Sequence, residues 1–155
     1  PYDQIDVTVH PQSIIHSMVE FVDGSTLAQA SPPDMKLPIS LGLDWPNRVD
    51  GVGAPLDWTT ATTWSFEPLD SEVFPAVEMA KAVGAAGLTY PAVFNAANEQ
   101  AVLAFHAGAI GYLDILDVVE QVVQSHEATE LTLDALAAAE SWARRAADSV
   151  VAIRA

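Results

Sequence analysis

Cysteine is absent from these 155 residues. That excludes disulfides, zinc–thiolate sites and thiol nucleophiles at once. Positive charge is scarce: six Lys and Arg stand against 21 Asp and Glu, for a net charge of −15. So acidic a chain repels phosphate backbones, which argues against nucleic acid as a partner. The same repulsion argues against anionic membranes. Six basic residues are also few for holding a dinucleotide unaided. No apolar run approaches the ~18 residues that span a bilayer, and no signal peptide is recognisable. Neither G-x-G-x-x-G nor a Walker phosphate loop occurs. What remains is a chain that is 50% hydrophobic, enough to build one core or two small ones. It starts at Pro1 and runs straight into a strand pattern, as expected of a processed or truncated chain. Cysteine-free composition is compatible with a cytoplasmic location.

Composition changes near position 70. Eight of the ten prolines and three of the four tryptophans precede it; alanine and helix formers dominate after it. In the first part Ile5, Val7 and Val9 alternate with Asp6 and Thr8, the period of a half-buried strand. Asp23-Gly24 between two β-prone runs predicts a hairpin with a two-residue type I′ turn pairing Val22 with Ser25. That register places Val19, Phe21 and Ala28 on one face, and His16, Met18 and Leu27 on the other. A short helix over 34–44 should follow, closed by Trp45-Pro46, then a long loop over 46–64 of the kind that links domains. The second part predicts four helices: 75–84 ending at Gly84, 90–107 stopped by Gly108, one from Asp114, and one from the Thr132 N-cap to about Val151. Short connections favour an antiparallel bundle. The fold class is therefore α+β: a strand and β-hairpin segment, a linker and a small four-helix bundle.

Chemistry-bearing residues cluster early. His10 and His16 lie six apart with Ser13 between, a spacing with no preferred metal geometry and no evident acid as a third ligand. A Ser–His nucleophilic pair would lack an elbow and an orienting acid. A site-lining role fits better, since His16 can donate or accept near neutral pH and Ser13 can bond a phosphate oxygen. Pro33, Asp34 and Met35 form a loop in which Met35 either contacts a planar ligand or fills space under the loop. Asn95, Asn98 and Glu99 share a helical face, and their structural reading as loop ties outweighs a catalytic one. His106 and His126 read as capping or surface groups near helix ends. The carboxylates, Asp114 and Asp117 among them, form no metal cluster.

The stretches HPQSIIHSMVEFVDGSTLAQ, PPDMKLPI and DWPNRV, with the later FNAANEQAVLAF and GYLDILDVVEQVV, resemble the 1-deoxy-D-xylulose 5-phosphate reductoisomerase family. The resemblance spans essentially the whole chain. It implies that residues 1–45 are the second half of a central catalytic and dimerisation domain, 46–70 a linker and 71–155 the C-terminal helical bundle. It implies a homodimer that uses NADPH and a divalent cation (Mg²⁺, Mn²⁺ or Co²⁺). The reaction would be rearrangement and reduction of a phosphorylated sugar, 1-deoxy-D-xylulose 5-phosphate, to 2-C-methyl-D-erythritol 4-phosphate, in isoprenoid precursor biosynthesis. Ser13 and His16 match the family's active-site segment; Pro33 and Met35 match a loop bordering the substrate and nicotinamide pocket. The metal carboxylates, the main phosphate ligands and the dinucleotide fold would lie upstream of Pro1, on the N-terminal part of the same protein. This chain alone would then be inactive, with no metal ligand of its own and exposed strand edges that limit its solubility. From the residues alone a rival stands: a non-enzymatic module, a bundle with a β-hairpin arm for dimerisation or partner binding.

Overall fold

A computed structural model describes residues 1–154; the last residue of the expected bundle, Ala155, lies outside the described residues. The fold is α+β, and it divides into two compact units. One holds residues 6–69. The other holds residues 70–155 together with residues 1–5.

The first unit carries two small antiparallel sheets and one helix. Strand β1 (Thr8–Val9) pairs with β4 (Glu67–Pro68), matching Thr8 to Pro68 and Val9 to Glu67. The five-residue strand expected at 5–9 is thus only two residues long. Its partner is equally short, ending at a proline that has no N–H for a ladder, and Tyr2–Gln4 form a 3-10 turn instead. Strand β2 (Ile15–Glu20) pairs with β3 (Thr26–Ala30). Here the register departs from expectation: Glu20 pairs with Thr26 and Val19 with Leu27, so the loop has three residues rather than two. Gly24 alone takes a positive φ, +82°, while Asp23 accepts hydrogen bonds from Ser25 N–H (2.9 Å) and Ser25 Oγ–H (2.6 Å). Asp-Gly serves a three-residue loop with left-handed glycine as readily as a type I′ turn. The one-residue slip moves Leu27 to the face of Val19 and Ala28 to that of Met18. Helix α1 (Lys36–Leu43) follows, and a long irregular segment, including the cis Trp45-Pro46 bond, leads to β4.

The second unit is helical: α2 (Ala76–Ala86), α3 (Tyr90–His106), α4 (Asp114–Gln124) and α5 (Leu133–Arg154). Helix α3 lies at the centre and packs on the other three. Val93, Ala96, Ala97 and Ala101 of α3, Val118, Val119 and Val122 of α4, and Ala139, Ala143 and Ala147 of α5 are buried. Alanine at the contacts lets the helix axes approach closely, and the α4 valines fill the space left. Thr132 caps α5 as expected, accepting from Ala135 N–H at 3.1 Å. The helix outruns Val151 because Arg154 reaches back to Asp114 and Asp117, each at 3.0 Å. Helix α2 likewise runs through Gly84 and stops at Gly87, which adopts φ +66°. Gly84 serves contact rather than termination: a β-carbon there would sit 2.5 Å from Cζ of Tyr2.

Candidate active site

The residue pattern His10–Ser13 folds as a tight turn, with Ser13 N–H donating to the His10 carbonyl at 3.0 Å. Ser13 adopts φ +51°, a left-handed backbone that serine seldom takes. Strand β2 starts immediately afterwards and is irregular. Ile15 faces Ala30 and Ser17 faces Gln29, so His16 is an extra residue in the ladder. Such a bulge redirects a side chain out of the regular alternation. His16 Nε2 lies 3.1 Å from the Ser31 carbonyl. A carbonyl only accepts, so Nε2 carries the proton and the neutral ring presents Nδ1 as its free acceptor.

After β3, Pro32 and Pro33 stop the strand and Asp34 starts α1, accepting from Lys36 N–H at 2.9 Å. The other carboxylate oxygen of Asp34 makes a 3.6 Å ion pair with the exposed Lys36. Met35 is 72% exposed.

These segments enclose a cavity of about 680 Å³, lined by Ser13, His16, Pro33 and Met35 together with Ser31, Asp34, Arg48 and the apolar Leu37, Pro38 and Leu41 of α1. All four residues singled out from the sequence therefore share one cavity. Gly53 backs α1, where a β-carbon would meet the Leu37 side chain at 3.0–3.2 Å. Arg48 went unremarked in the sequence. Among the described residues it is the one Lys or Arg that lines the cavity, and it makes no ion pair. Its signal was scarcity, since the first 80 positions hold only Lys36 and Arg48 as basic residues. The arrangement offers an apolar wall for a flat ring, and hydroxyl, imidazole and guanidinium groups for an oxygen-rich, anionic ligand.

The other candidates fall elsewhere. Glu99 pairs with Arg144 at 2.6 Å, which ties α3 to α5 and favours the structural reading of its cluster. His126 is no surface cap. Its Nε2 lies 2.8 Å from Oγ1 of the fully buried Thr89, and its ring packs against Tyr90 and Trp142. Burial holds it below the ordinary histidine range, opposed by the charge of Glu127. Among the described residues no group of three His, Cys, Asp or Glu could hold a metal ion. None of the described helices is long and apolar enough to cross a membrane.

Comparison with known proteins identifies the family. A profile of the DXP reductoisomerase C-terminal domain matches residues 30–146. The 1-deoxy-D-xylulose 5-phosphate reductoisomerase of Leifsonia xyli is 74% identical over 152 residues, covering 97% of this chain and 42% of its own length. That of an Arthrobacter species is 61% identical over 145 residues, covering 93% of this chain and 37% of its own. Among solved structures, the Zymomonas mobilis reductoisomerase in complex with NADPH superposes with a TM-score of 0.87 at 43% identity, over 97% of this chain and 40% of that one. A DOX-P reductoisomerase in complex with NADPH, fosmidomycin and magnesium gives 0.83 at 33% identity, with the same coverage. The chain thus spans about two fifths of the length of the relatives it matches. It belongs to the DXP reductoisomerase family, in the part that carries the C-terminal domain.

Proposed function

We propose that this chain supplies one side of the active site of an NADPH- and divalent-metal-dependent reductoisomerase. The enzyme converts 1-deoxy-D-xylulose 5-phosphate to 2-C-methyl-D-erythritol 4-phosphate in isoprenoid precursor biosynthesis, as a cytoplasmic homodimer. The observation that carries this reading is the convergence of Ser13, His16, Pro33 and Met35 on one cavity, in a chain of this family. Residues 1–45 complete the central catalytic and dimerisation domain, 46–70 connect it to the bundle, and 71–155 form the C-terminal domain.

In this role Ser13 Oγ donates to an oxygen of the phosphorylated sugar. His16 offers Nδ1 as acceptor, or a second N–H when protonated. Pro33 and Met35 border the nicotinamide, where the soft, polarizable thioether suits a flat ring. NADPH when bound supplies the hydride; these residues orient the acceptor and keep water from it. A divalent metal does not fit the residues present, because among the described residues no third ligand-type group joins Asp34 and His16. Its ligands belong to the N-terminal part of the same protein.

The test is a chimera in which this chain replaces the matching stretch of the Leifsonia xyli reductoisomerase. NADPH oxidation that requires both 1-deoxy-D-xylulose 5-phosphate and Mn²⁺ is the expected result. His16→Ala in that chimera should lower turnover with folding intact. A folded, dimeric chimera without turnover would end the proposal.

A further inference from the structure

The turn that carries Ser13 into the cavity is held from behind by residues that do not line the cavity. Gln12 reaches across the unit to Ser65. Its Oε1 accepts from Ser65 N–H at 3.2 Å, and its Nε2 donates to Ser65 Oγ at 3.0 Å. His10 grips the same residue by its carbonyl, Nδ1 lying 2.8 Å from Ser65 O. The carbonyl only accepts, so Nδ1 bears the proton. The His10 ring also lies flat on Phe66, with centroids 4.4 Å apart and planes 9° from parallel. One residue further along, β1 pairs with β4 through Val9 and Glu67. Three consecutive positions, 65 to 67, thus hold the backbone at Val9 and the side chains of His10 and Gln12. The next residue, Ser13, is the one forced to φ +51°.

Left-handed backbone is unfavourable for a residue with a β-carbon and persists where its surroundings over-determine it. On the cavity side Ser13 N–H donates to His10 O at 3.0 Å and Ser31 N–H donates to the carbonyl of the next residue, Ile14, at 2.9 Å; the contacts of Gln12 and His10 with Ser65 hold the turn from the other side. We propose that Gln12, His10 and Ser65 are positioning residues: a clamp that keeps Ser13 left-handed and so aims its hydroxyl into the cavity. The proposal rests on the functional reading above for its kinetic consequence. For its structural consequence it stands alone.

A clamp of this kind sets the fraction of molecules that are competent to bind, and apparent affinity scales with that fraction. With the left-handed state costing what such conformations do, releasing it should lower the competent fraction about five- to tenfold. In the chimera, Gln12→Ala should therefore raise KM for the sugar phosphate by about that factor and leave kcat within about twofold. Gln12→Glu, which keeps the acceptor for Ser65 N–H, should recover most of the loss. In a Ser13→Ala background, Gln12→Ala should add nothing, because the group it aims is gone.

Amide hydrogen exchange in the same chimera reads the clamp without chemistry. The Ser13 amide should exchange about five- to tenfold faster in Gln12→Ala, while amides of α3 remain unchanged. A kcat loss at constant KM, an additive effect in the Ser13→Ala background, or unaltered Ser13 exchange would overturn the clamp. Should Gln12→Ala fail to fold, Gln12→Glu and Ser65→Ala carry the same comparison by exchange. Should the parent chimera fold but not turn over, the functional reading falls while exchange still decides the clamp.

Discussion

The two units are built on opposite plans. Every fully buried side chain among the described residues lies between Val83 and Ala147, in the helical unit. The 6–69 unit has none, and it leaves Val19, Phe21, Leu27, Met35, Trp45 and Trp58 at least half exposed. The helical unit closes its own core. The other presents a cavity, apolar faces on both sides of a two-stranded hairpin and open strand edges, so its stability depends on what covers it. The difference teaches where each kind of information sits. Packing explains the helices, and chemistry explains the loops.

The sharpest way to break that contrast is one substitution made in each unit. Val118→Asp buries an unpaired carboxylate among α3, α4 and α5 and should cost more than about 4 kcal/mol, effectively unfolding the bundle; urea titration followed by helical circular dichroism reads it. Next in size is Thr89→Val. It removes the hydroxyl that accepts from Thr129 N–H (3.3 Å) and faces His126 Nε2, leaving both unpartnered. A loss of about 1–3 kcal/mol is expected, seen as a lower urea midpoint at unchanged slope. A smaller effect depends on pH. His126 is kept neutral by burial, so the stability this contributes is complete above the unfolded value near ~6.5 and is lost as pH falls through the lower folded value. The melting temperature should decline on acidification from neutral, with a shallower slope in His126→Gln. Smallest of all is Val22→Asp at the fully exposed hairpin tip, expected within about 0.5 kcal/mol of the parent. A large effect there would mean that the tip is covered in solution, and the contrast between the units would need redrawing.

The helical unit was largely legible in the sequence because its signals are local. Thr132 caps, Gly108 stops α3 with φ +74°, and the α4 valines recur at helical spacing. Where reading failed, the deciding partner was distant. Gly84 reads as a stop until Tyr2 is seen against it. His126 reads as a surface group until Thr89, 37 positions earlier, meets it. The hairpin slipped by one residue because Asp-Gly is compatible with two loop lengths, and the Asp23–Ser25 hydrogen bonds accompany the longer one. The cavity was half legible: Ser13, His16, Pro33 and Met35 stood out by type and by family resemblance. Arg48 and the Ser65 contacts come from the irregular segment after α1, which carries no periodicity to read.

The pairing of β1 with β4 has one more consequence. Thr8 and Pro68 face each other across the ladder, so the chain leaves the 6–69 unit beside the point where it came in. A segment with adjacent ends behaves as a cassette: it can be lifted out and the gap closed by a short turn. A chain cut after Thr8, resumed at Pro68 and bridged by two glycines should keep Tyr2 seated on Gly84 and the four helices intact. By the same geometry, a foreign domain with neighbouring termini could be spliced into this position, making the bundle a scaffold whose cargo is exchangeable.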